Sequence, residues 1–144
     1  VNFDIEDLEQ MRERTFDVIV GRRDPVDGAA EGEPVGFRVV GAASELYRKA
    51  NRAFDVATVK AAAQRGAPLD VKTDAGAEAV VESGEQRRDA IVNACVVDWF
   101  GFTVGNTTPF PFSAENLDRV LRAKPEWRDV LFAQIVNDAN FIKG

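Results

Sequence analysis

The run WFGFTVGNTTPFPFSAEN, Trp99 to Asn116, constrains the fold of this chain more than any other stretch. It gathers Trp99, Phe100, Phe102, Phe110 and Phe112, and neither a helical nor a strand period runs through the whole of it. Gly101, Gly105, Pro109 and Pro111 forbid a continuous helix here. Pro-Phe-Pro-Phe is extended and stiff, so its rings project from fixed positions. Burying one such ring removes on the order of 150 to 250 Å² from water, and five left solvated would make an adhesive patch. Two compatible uses follow: the strap closes the core between the third helix and the last two, or one or two rings are kept for a partner. Trp99, Phe102, Phe110 and Phe112 are the candidate partner-binding residues, and Trp127 and Phe141 are read as core.

Around this strap the chain sorts into elements. Asp4 caps a short helix with Leu8 and Met11 on one face. TFDVIV points Phe16, Val18 and Val20 one way, and VGFRVVG does the same with Val35, Phe37 and Val39, which predicts an antiparallel pair joined by the polar loop GRRDPVDGAAEGEP. Two strands are marginal alone, so the pair must lie on helices or join strands of another copy. Ser44 opens the clearest amphipathic helix, carrying Leu46, Ala50, Phe54, Ala57 and Ala61 and ending by Gly66 and Pro68. Residues 67–85 read as a variable, linker-like segment. A third helix sets Ile91, Val92, Cys95, Val96 and Trp99 on one stripe and breaks at Gly101. Ser113 caps a fourth with Leu117, Val120 and Leu121 inward, and Pro125 opens a fifth with Trp127, Val130, Leu131, Ile135 and Ala139. The expectation is one α+β domain over 1–144, mostly helical. An N-terminal antiparallel strand pair (within 1–43) packs with four to five helices, one over 44–66 and the rest in a C-terminal part, 86–144.

The chain's 144 residues are enough for one core without staples, and 45% hydrophobic with 29% charged residues is a globular balance. A net charge of -6 repels a phosphate backbone, so nucleic acid is not an expected partner. The start VNFDIEDLEQ has neither the basic opening nor the apolar run of a leader, and no stretch is long and apolar enough to span a bilayer, so neither export nor membrane insertion is expected. For the same reason the sequon at Asn106 and Thr108 carries no weight.

The missing chemistry narrows function further. With no histidine, the commonest general base, the usual triads and histidine-containing zinc sites are excluded. Cys95, the single cysteine, falls on an apolar stripe, where burial blunts a thiol. No phosphate-binding glycine loop occurs. Asp24, Asp27, Glu31 and Glu33 miss the spacing of a calcium loop and read as a solvated acidic loop. No catalytic, cofactor-binding or metal-binding residue is therefore assigned, and no cofactor is expected. A carboxylate- or Cys95-based enzyme is the least favoured class.

Three segments carry a resemblance: VVGAASELYRKANR; VVDWFGF followed by PFPFSAENLDRVL; and the close WRDVLFAQIVNDANF. In these the chain resembles the phage tail assembly chaperones of siphophage and prophage tail operons, over about half its length and in the same order. Residues 55–85 lie outside the likeness, and GNTTPFPF stands where a Gly-Glu-Pro-like turn would precede the cap. The resemblance implies a non-enzymatic protein of the bacterial cytoplasm that coats the tape measure protein. It would keep that protein soluble and help recruit tail tube subunits, in some members through a longer frameshifted form. Homo-oligomers are compatible with it. The alternative is a structural virion component, a tail completion or tube-associated subunit, whose strand pair extends a sheet in a ring of copies.

Overall fold

The computed structural model describes residues 4–24, 32–105 and 107–142. Asp27 and Glu31 of the acidic loop, Asn106 of the sequon, and the terminal Lys143 and Gly144 lie outside them. The architecture is mixed α+β and mostly helical, with the expected N-terminal strand pair.

Helix α1 (Ile5–Gln10) starts where the Asp4 carboxylate accepts the Glu6 N–H at 2.9 Å, and it delivers Met11 to the core. Strand β1 (Thr15–Arg22) pairs antiparallel with β2 (Pro34–Val40), with an irregularity between Ile19 and Gly21. A third strand, β3 (Val96–Phe100), pairs antiparallel with β2 on its other side, giving the order β1-β2-β3. This corrects the expected third helix: α3 ends at Cys95, and Val96 and Trp99 belong to a strand. It also answers the marginality of two strands, because the chain supplies the third itself.

The physical reason lies in β2. As the central strand it buries Gly36, Phe37, Val39 and Val40 and so needs a neighbour on each edge. Val18, Phe37 and Trp99 align across the three strands on the core face. On the other face Arg38 sits opposite Asp17 and Asp98. Its Nε donates to Asp17 at 3.0 Å, and that hydrogen bond, with the charge of Asp17, raises the guanidinium pKa further.

Helix α2 (Glu45–Arg65) begins at Ser44, whose buried hydroxyl donates to Gly41 O at 2.6 Å and accepts from Tyr47 N. It stops at Gly66, which is left-handed at φ 74°. Helix α3 (Asp74–Cys95) starts at Thr73, whose hydroxyl accepts the Gly76 N–H, so most of the segment expected as linker-like is helix. After β3 comes a small hairpin of β4 (Thr103–Val104) and β5 (Thr108–Pro109), with Gly101 and Gly105 at positive φ.

Helix α4 (Ala114–Ala123) is capped by Ser113 and buries Leu117 and Leu121. Helix α5 (Trp127–Ile135) buries Leu131 and Ile135 and leaves Val130 exposed, with Pro125 in the turn before it. It ends sooner than expected: Ala139 is exposed in a short 3-10 turn, Asp138–Phe141, that Asn137 caps. That turn drives Phe141 into the core against Gly41, where any Cβ would meet the ring at 2.6 Å.

Candidate functional site

The four rings singled out in the sequence come together around one residue. Trp99 has its centroid 4.9 Å from that of Phe102, 5.6 Å from Phe110 in a stacked arrangement, and 5.3 Å from Phe112 edge-on. Its indole N–H donates to Phe110 O at 2.8 Å, and Phe110 N–H donates to Phe102 O at the same distance, so the strap is tied to the strand it covers. Phe37 and Trp127 continue the cluster inward. Trp99 is buried, while Phe102, Phe110 and Phe112 are half-buried and packed against the core. Arg119 lies over the Phe110 ring at 5.5 Å. Each such ring pair contributes about 0.5–1.5 kcal/mol beyond its area. The strap closes a core built on the sheet and on the start of α5. Phe141 is core, and Trp127 packs half-buried against it.

A second surface was not singled out. Helices α2 and α3 run antiparallel as a long hairpin, joined where Arg87 donates to Asn51 Oδ1 at 3.0 and 2.6 Å. Helix α2, expected to be the clearest amphipathic element, buries no residue. Its spacing is amphipathic, but its inward positions are mostly alanine and its principal partner is α3. Only the C-terminal end of α3, Ile91, Val92 and Cys95, enters the core. Between the two helices runs an open, mainly apolar groove of about 290 Å³, lined by Phe54, Ala57 and Ala61 of α2, Leu69 of the connection and Ala79 of α3, with Thr58, Arg65, Ser83 and Gln86 also on its walls. Elsewhere on the hairpin and its connection Leu46, Val56, Val59, Val71, Val80 and Val81 stand exposed, Val59 by 69% and Val81 by 61%. The sequence signal was present: a long Ala-rich helix with valines off its inward face.

For chemistry the described residues offer little. Cys95 is fully buried, and burial pushes its thiol up to about 12. Around Arg88, burial opposes the charge, and hydrogen bonds to Asp129 and Asp89 outweigh it, so its pKa is raised. Glu126 is held below the usual range by its own backbone N–H and by Lys124. These are surface and packing features. Among the described residues no group of three or more acidic or cysteine side chains gathers to hold a metal ion, and no helix is long and apolar enough to cross a membrane.

No family model, no curated protein and no solved structure matches the chain.

Proposed function

We propose that this protein is a phage tail assembly chaperone. It binds the tape measure protein, keeps that long helical chain soluble in the host cytoplasm and helps recruit tail tube subunits, without catalysing a reaction. The observation that carries a polypeptide-binding role is α2: 21 residues of helix, none of them fully buried, that form one wall of a mainly apolar groove. A groove between two helices accepts the apolar stripe of a third at i, i+3, i+4 spacing. Many copies, each holding one stretch of a long client, supply avidity through contacts that are individually weak.

The resemblance supports the same reading in a specific way. Its segments meet in space: Gly41 of the first accommodates Phe141 of the last, and Phe102 of the second packs on Trp127 of the last. They build the framework, and we assign the client to the hairpin, most of which lies outside them. The reading as a virion subunit that extends its sheet through β1 is weaker, because the irregularity between Ile19 and Gly21 disfavours pairing at that edge.

Co-expression with the candidate tape measure protein tests the proposal, scoring the client's solubility and co-purification. Wild-type protein is expected to keep the client soluble and bound. Ala61→Glu, which puts a charge in the groove at an exposed position, should fold normally and lose roughly tenfold or more in affinity. A client that stays insoluble and separate from the wild-type protein would overturn the proposal.

A further inference from the structure

The outer faces of the hairpin, turned away from the groove, are charged oppositely. On α2, Arg48, Arg52, Val56, Val59 and Lys60 share one face at three- and four-residue spacing, and Glu45 and Asp55 beside Arg48, Lys49 and Arg52 leave it with a net positive charge. On α3, Ala77, Glu78, Val81, Glu82 and Glu85 share another, around a shallow depression that they line together. Among the described residues, none of these charged groups makes an ion pair within the chain, whereas the charges beside α4 and α5 are paired. Each face therefore offers exposed valine beside unpaired charge with an excess of one sign, and the two excesses are complementary.

We infer that the hairpin is a self-association surface, the basic outer face of α2 in one copy docking on the acidic outer face of α3 in the next. Both faces point away from the helix–helix contact, on opposite sides of a layer two helices thick. One copy cannot use both on the same partner, so the contact is heterologous and propagates into a ring or an open row. A single helix laid on a helix buries less than the about 800 Å² per partner of a standard interface, so the association is weak, concentration-dependent and sensitive to salt. The inference does not depend on what the groove binds.

Sedimentation velocity of the full chain, up to millimolar concentration, tests it. At about 10 mM salt, where the screening length is roughly 30 Å, the sedimentation coefficient should rise with concentration; at about 1 M, where it is about 3 Å, the rise should vanish. The triple variant Glu78→Lys, Glu82→Lys, Glu85→Lys should remain monomeric, as should Arg48→Glu, Arg52→Glu, Lys60→Glu, with circular dichroism showing wild-type helicity in both. An equal mixture of the two variants should associate again, because every face then meets its complement. A wild-type chain that stays monomeric at low salt, association indifferent to either reversal, or a mixture that fails to associate would each overturn the inference.

Discussion

The body of the molecule and its α2–α3 hairpin are built on different rules. In the body, Phe37, Ile91, Leu121, Leu131 and Ile135 are inaccessible to solvent, and charges are matched locally. Arg88 bonds Asp89 and Asp129, Arg128 bonds Asp89 at 3.2 Å, and Arg122 bonds Asp118 at 2.8 Å. In the hairpin most apolar residues are small or exposed, basic residues predominate on α2 and acidic ones on α3, and order comes from alanine's propensity, two caps and one neighbouring helix. Such exposure in ordered helices is what supports the proposal of a polypeptide-binding surface.

The sharpest way to break the contrast is to empty the body. Phe37→Ala removes a ring touching Trp99, Phe102 and Trp127 at zero exposure, and chemical denaturation should report a loss of about 3–5 kcal/mol. A second test uses Cys95. Its folded thiol stays protonated to about 12, while the unfolded thiol ionises near its ordinary value of about 8.5. The unfolded state therefore holds fewer protons in that window, and stability falls as pH rises from about 8.5 toward 12, by up to about 1.4 kcal/mol per pH unit for this one proton. Denaturation midpoints against pH should show this extra slope in the wild type and not in Cys95→Ala.

Smaller effects belong to the strap and the hairpin. Phe110→Ala loses its contacts with Trp99 and Arg119 at a half-buried site, and should cost roughly 1–3 kcal/mol. If it lowers client affinity without lowering the melting temperature, the strap and not the hairpin is the binding surface. Val59→Ala, at 69% exposure, should change stability by less than about 0.5 kcal/mol. A large loss there would mean that the hairpin is packed in a way the body alone does not reveal.

Much of the frame was legible in the residues. Asp4, Ser44 and Ser113 are caps where the sequence places caps, Gly66 stops α2, and the alternation of Phe16, Val18 and Val20 matches the strand face. Strand β3 was hidden because Val92, Cys95, Val96 and Trp99 recur at helical spacing across the junction where α3 becomes strand. The start of α3 was illegible for another reason. It packs through Gly76, Ala79 and Ser83, too small to leave a hydrophobic period. The packing of the aromatic rings on Trp99 was not legible either, because sequence shows their number and not their mutual contacts.

Hydrogen–deuterium exchange of the full chain, alone and with the tape measure protein, tests most directly whether the hairpin is the working surface. The expected result is new protection across 54–61 and 77–85, with 96–112 unchanged because that segment is already held by the sheet and the strap. Protection confined to 96–112, with the hairpin exchanging as it does in the free protein, would contradict it.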